Sequence, residues 1–138
     1  MRFNRTTDYA IRCMLCIAQA EQGLNSAEIS EITGISRNML INLLQRLRRA
    51  GLVRSARGAM GGYVLVGTPG DISLLQIVRV TEPGQAISPA MTKGANGSAI
   101  DRFYHTLQRQ VIHSLDQMTL EQLLEEDGHG KQAAEPAP

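Results

Sequence analysis

The chain of 138 residues has no Trp, two Phe and three Tyr, so a hydrophobic core must be assembled almost wholly from aliphatic side chains. Its two cysteines, Cys13 and Cys16, are too few for a disulfide framework, and the expected compartment is a reducing cytoplasm. No apolar run approaches the roughly 20 residues that a membrane span needs. The N-terminus lacks the apolar stretch and small-residue cleavage site of a secretory signal. There is no Walker-type phosphate loop, no H-E-x-x-H pair and no nucleophile elbow, which leaves no sequence ground for an enzyme. The most telling absence is of acid. From Ile32 to Gly70 the chain contains no Asp and no Glu.

That same stretch holds six arginines: Arg37, Arg46, Arg48, Arg49, Arg54 and Arg57. The formal net charge of +1 therefore hides an asymmetry. Residues 1–66 carry nine Arg against Asp8, Glu21, Glu28 and Glu31, a balance of +5, while residues 67–138 carry five basic and nine acidic residues, a balance of −4. Neutralisation of phosphates by Arg and Lys supplies most of the sequence-independent affinity for duplex DNA. The basic half is accordingly expected to face nucleic acid, and the acidic half to do something else.

Hydrophobic spacing organises the chain. Tyr9, Ile11, Met14, Leu15, Ile17 and Ala18 predict a helix over 8–21, with Thr6 and Thr7 as candidate caps. A short helix follows at about 26–33, ended by Gly34, where a left-handed backbone is easiest for glycine. Ser36 can cap a third helix, 36–50, whose core stripe is Leu40, Leu43, Leu44 and Leu47. Leu52–Ala56 and Tyr63–Val66 read as two strands around a tight tip from Arg57 to Gly62. A short helix is predicted over 73–81. Residues 82–98 have Pro and Gly but no periodicity, and form an expected loop. In the helix predicted over 99–118, Ile100, Phe103, Tyr104, Leu107, Val111, Leu115 and Met118 recur at steps of three and four, a stripe suited to pairing two copies or to packing on its own domain. One more short helix is expected from Thr119 to about Glu126, and Gly128–Pro138 is expected to be a disordered tail.

The predicted fold is thus mainly α with a small β-hairpin wing: a winged helix-turn-helix over 1–81, a loop over 82–98, a long dimerisation helix and short C-terminal helix over 99–127, and the tail. In such a motif the second helix enters the major groove with its N-terminal residues nearest the base edges. Ser36, Arg37, Asn38, Ile41 and Asn42 are the candidates there. Arg46, Arg48, Arg49 and Arg54 suit phosphates, and Arg57 beside Gly58 suits the minor groove. Cys13 and Cys16 lie three apart on one helix, where they either fill core or form a thiol sensor. His105 and His113 have no Cys or carboxylate support for a metal.

With these residues placed, four segments carry a resemblance: MRFNRTTDYAIRCML, AEISEITGIS, LLQRLRRAGLVRSARGAMGGYVL and ISLLQIVRVTEP. They resemble the Rrf-type bacterial transcriptional regulators, the family of IscR- and NsrR-like winged-helix iron–sulfur regulators. The resemblance spans about residues 1–125, and the wing pattern R-G-x-x-G-G-Y is its most specific piece. It implies a homodimeric repressor of the iron–sulfur, nitric-oxide or redox-responsive type, bound to a partly palindromic DNA operator, with no membrane partner. It places Asn38 and Ile41 at base-reading positions and Arg57 at the minor-groove position. Ile41 departs from the Glu of some IscR-like members, so their operator preference is not transferred.

Cluster-binding relatives carry three loop cysteines, and some add an acidic ligand that Asp8 matches. Here Ala90, Ala95 and Ala99 stand near those spacings, and a methyl group cannot hold iron. The chain is therefore expected to bind no cluster or other metal. A cysteine-bearing parent would hold a 2Fe-2S or 4Fe-4S cluster, and the chain is either a natural member without one or a form in which alanines replace the ligands. Two other readings stay open: a cluster-free regulator that senses a thiol oxidant or small molecule, and a winged-helix module that binds protein.

Overall fold

The computed structural model describes residues 3–58, 61–82 and 97–134, the last six of these by backbone alone. The order of elements is α1 (Arg5–Gln19), α2 (Ser26–Thr33), α3 (Arg37–Arg49), β1 (Val53–Ala56), β2 (Gly62–Leu65), a single 3-10 turn (Pro69–Asp71), α4 (Leu74–Thr81), α5 (Ala99–Gln117) and α6 (Leu120–Ala134). This is the mainly helical, winged architecture that the hydrophobic spacing predicts.

Helix α1 is the central post. It touches α2, α3, α4, α6 and β2, and buries Thr7, Ala10, Cys13, Met14, Cys16 and Ile17. Its start differs from expectation. Asn4, not Thr6 or Thr7, is the cap: the Asn4 side chain accepts the Thr7 backbone N–H at 2.8 Å, and the helix begins at Arg5. Thr7 instead faces inward, where its hydroxyl lies 2.6 Å from that of Thr81 and donates to Glu82 at 3.2 Å. The N-terminus of α1 is thereby fastened to the C-terminus of α4. Cys13 and Cys16 are free, buried thiols within the aliphatic core.

The core is completed by Ile29 and Ile35 from the α2–α3 region, the four leucines of α3, Leu52 and Val53, Ile72, Leu74, Ile77 and Leu120. Burial of each such side chain contributes about 1.5–3 kcal/mol. Leu120 reaches this core because an isolated bridge joins Ser73 to Thr119, with Leu74 N–H donating to the Met118 carbonyl at 2.8 Å. A second, smaller cluster of Leu75 and Val78 takes Phe3, Ile112 and Leu115, and this seats the C-terminal half of α5 on α4.

In the C-terminal region Leu115, on the stripe suited to pairing two copies or to packing on its own domain, is half-buried against its own domain together with Ile112. Helix α6 does not stop near Glu126 but continues to Ala134, so residues 128–134 of the supposed disordered tail are helical. Gly128 and Gly130 each weaken a helix by only about 1 kcal/mol relative to Ala, and Lys131–Ala134 are good helix formers. Residues 135–138 lie outside the described residues, as do Ala90 and Ala95 with most of the expected loop.

Candidate nucleic-acid interface

The reading helix is set by the turn before it. Helix α2 starts with a capping box in which Asn25 accepts the Glu28 N–H at 2.8 Å and Glu28 accepts the Asn25 N–H at 3.2 Å. It ends at Gly34, whose φ of 77° lies in the left-handed region that costs a side-chain-bearing residue energy. The Ser30 hydroxyl then donates to the Ile35 carbonyl at 2.6 Å, and Ile35 is driven into the core. Ser36 caps α3 by accepting the Met39 N–H at 3.3 Å. The result is a three-residue joint, 34–36, between two packed helices.

With Leu40, Leu43, Leu44 and Leu47 buried, the opposite side of α3 is fixed by the 3.6-residue period. Ser36, Arg37, Asn38, Ile41, Asn42, Gln45, Arg48 and Arg49 are all exposed. The Arg37 guanidinium donates to the Ser26 hydroxyl at 3.4 Å, which braces the start of α3 against the start of α2. Arg46 is less open than its neighbours. It is half-buried, and its Nη2 donates to the Val80 carbonyl at 2.8 Å, so this residue also joins α3 to the end of α4.

The wing lies beside this face. Strands β1 and β2 pair antiparallel in the register Val53↔Leu65, Arg54↔Val64, Ser55↔Tyr63 and Ala56↔Gly62. Tyr63 also exchanges both backbone hydrogen bonds with Leu24, at 2.7 and 3.1 Å, which anchors the hairpin to the α1–α2 connection. Gly62 permits that approach: its φ is 134°, and a Cβ there would lie 2.5 Å from the Leu24 backbone. Arg54, Arg57 and Gly58 are exposed at the outer end. The segment from α3 through the wing contributes no carboxylate, because that sequence contains none.

Of the family's cluster positions, Asp8 is exposed and paired with Arg12 at 2.7 Å, Ala99 is the first residue of α5, and Ala90 and Ala95 lie outside the described residues. Among the described residues no three His, Cys, Asp or Glu side chains lie together as a metal site. Two buried thiols cannot supply the four ligands of such a cluster, and burial pushes the Cys13 thiol up to about 12 and raises that of Cys16 as well. A thiolate is the form that binds iron. The donor set among the described residues therefore does not fit an iron–sulfur cluster.

The long helix is unlike the others. None of its 19 residues is buried. Ile100, Phe103, Tyr104 and Leu107 are 68%, 60%, 58% and 43% exposed, with the Phe103 and Tyr104 rings edge to face at 5.4 Å. Met118 is also exposed, and Val111 is half-buried. No helix among the described residues is long and apolar enough to cross a membrane.

Sequence reading missed one basic residue near this interface. Arg79 on α4 is exposed beside Arg46 and Arg49. It lies outside the acid-free stretch, and only the tertiary packing of α4 on α3 brings it there.

Comparisons with known proteins agree with the geometry. The family model described as Rrf2, iron-dependent transcriptional regulator, matches residues 3–126. Protein aau3 of Rhizobium meliloti (strain 1021) is 32% identical over 130 residues, spanning 83% of this chain and 84% of that protein. Among solved structures, CymR (YrzC), the global cysteine regulator of B. subtilis, is 31% identical with a TM-score of 0.80, covering 91% of this chain and 98% of its own. IscR of T. potens is 27% identical with a TM-score of 0.81, covering 100% and 94%.

Proposed function

Because this chain belongs to the Rrf2 family of transcriptional regulators, we propose that it is a homodimeric, sequence-specific repressor acting on a partly palindromic DNA operator in the cytoplasm. The observation that carries this reading is the acid-free, exposed face of α3 beside an arginine-tipped wing. Arg37 offers two parallel hydrogen bonds to a guanine edge, Asn38 and Asn42 offer the paired bonds that adenine accepts, and Ile41 can meet a thymine methyl. Arg48, Arg49 and Arg54, all exposed, would meet phosphates, and Arg57 would enter a narrow minor groove with its deepened negative potential.

Pairing is supported by α5. A helix that exposes Ile100, Phe103, Tyr104 and Leu107 on one stripe leaves apolar area in water unless a second surface covers it, and a second copy of the same helix supplies a matching stripe. Two copies would set two reading helices about 34–36 Å apart, one turn of duplex. The absence of a fitting donor set leads us to read DNA binding here as independent of an iron–sulfur cluster.

A second reading, a response to thiol oxidants, is favoured by one observation. Cys16 lines an open cleft of about 630 Å³ with Arg12, Leu15, Gln19 and Leu123, whereas Cys13 is sealed in the core. Titration of the native protein with a thiol reagent separates the readings: one reactive thiol whose modification releases operator supports the oxidant response, and none speaks against it.

Selection of duplexes from a random pool, followed by gel-shift with the wild type and Asn38→Ala, tests the main proposal. The expected result is a site with two related halves, with preference lost at one position per half in the variant. Absence of enrichment would overturn DNA reading, and a lone half-site bound by one protomer would overturn pairing.

A further inference from the structure

Beside the far end of α3, Arg46, Arg49, Ala50, Gln76, Arg79 and Val80 line an open cleft of about 410 Å³. Three arginines line it together, and no carboxylate is among the lining residues. Among the described residues neither Arg49 nor Arg79 has an ion-pair partner; Arg12 with Asp8 is the pair that forms. Arg46 is held in place by its bond to the Val80 carbonyl, which uses one of the five N–H donors of a guanidinium. Gln76 is oriented too. Its Oε1 accepts from the Ser73 N–H at 2.8 Å, so the acceptor end of the amide is occupied by the α4 cap and the NH2 end is left to donate. The cleft thus combines two held donors, Arg46 and Gln76, with the positive charge of Arg49 and Arg79. Like charges lining one cleft repel, and a bound anion relieves that repulsion.

We propose that Arg46, Arg49 and Arg79, with the Gln76 amide, form a notch that grips a backbone phosphate of the bound duplex, extending the DNA interface from α3 onto α4. The inference rests on the reading that α3 enters the major groove. Arg49 lies seven residues beyond Asn42, about 10.5 Å along the helix at 1.5 Å per residue. The major groove is about 12 Å wide, so a helix whose N-terminal half meets base edges brings this end to the groove wall, where the phosphates lie. The open shape of the cleft suits a phosphate on a polymer. Such a contact positions the protein on the duplex and carries no sequence information.

The test uses the full chain and its Arg79→Ala, Arg79→Lys and Asn38→Ala variants. Fluorescence anisotropy with the selected operator and with a scrambled duplex is measured across a salt series, after melting curves establish that each variant is folded. Arg79→Ala is expected to weaken binding to both duplexes by the same factor, roughly tenfold near 0.1 M salt, and to make the log-affinity slope shallower by about 0.9. Arg79→Lys keeps the charge and is expected to keep the slope. If Arg79→Ala leaves affinity and slope unchanged while Asn38→Ala still loses preference at its position in each half-site, the notch is refuted and the reading of α3 stands. If the wild type binds neither duplex, both fall together. Inorganic phosphate supplies the remaining arm: if it raises the melting temperature of the wild type but not of Arg79→Ala, while DNA binding is equal in the two, the cleft holds a free anion and the proposal fails.

Discussion

Helix α3 buries Leu40, Leu43, Leu44 and Leu47, whereas α5, longer and comparably aliphatic, buries none of its residues. The two helices carry apolar stripes at the same period, but only one meets its complement within the chain. In the first, packing on α1 and α4 fixes which side chains are left outside, and those are the candidates for reading bases. In the second, the C-terminal end rests on α4 through Ile112 and Leu115, while the N-terminal half extends with Ile100, Phe103, Tyr104 and Leu107 uncovered. Amphipathic period alone therefore does not say whether a helix serves its own core or another molecule. The packing environment decides.

The sharpest way to break this comparison is to truncate both stripes. Leu44→Ala removes a fully buried side chain, and chemical denaturation is expected to report a loss of about 2–5 kcal/mol. Phe103→Ala should scarcely change the packing within one chain, yet sedimentation equilibrium is expected to show dimer association weakened by about 2–4 kcal/mol, the scale of an apolar aromatic lost from an interface. An unchanged association constant would mean that the exposed stripe is not where two copies meet.

Arg57→Ala examines the reading side. Operator affinity is expected to fall by about 1–3 kcal/mol, with preference lost at A·T positions, as judged by gel-shift on substituted operators. Equal affinity and preference would remove the wing tip from the interface.

Smaller still is an alkaline effect that separates core from surface. The Cys13 thiol ionises near 9.0 when unfolded but at about 12 when folded, because burial disfavours the thiolate. Below pH 9 both states are protonated and the stability it contributes is intact. Above that the unfolded chain sheds a proton that the folded chain retains, so stability should decline by about 1.4 kcal/mol per pH unit toward the folded value. Melting curves of Cys13→Ala between pH 8 and about 10.5 are expected to show a flatter decline than the wild type; identical slopes would place Cys13 in a wetter setting.

The sequence made the helix-turn-helix joint legible because its punctuation is chemically narrow. Gly34 has the left-handed φ it was chosen for, Ser36 caps α3, and the glycines around the wing tip allow a tight hairpin. The start of α1 was less legible, since Asn4, Thr6 and Thr7 are all competent caps and the choice follows from the buried contact between Thr7 and Thr81. Arg46 illustrates a different limit. It sits at the margin of the apolar stripe of α3, and whether a marginal arginine faces solvent or a neighbouring helix depends on where α4 packs. Arg79 was invisible for the same reason, being 30 residues further on than Arg49 and adjacent only in the fold. The extension of α6 through Gly128 and Gly130 runs against local composition, which favours coil at both positions.

The most direct measurement is the affinity of the full chain for its selected operator as salt is raised from about 50 mM to about 200 mM, a range over which 6–10 phosphate contacts are expected to cost roughly 10³–10⁵ in binding. A straight decline of log affinity against log salt, with a slope near −0.9 for each phosphate neutralised, is the expected result. A flat line across the same range would contradict a DNA interface built on these arginines.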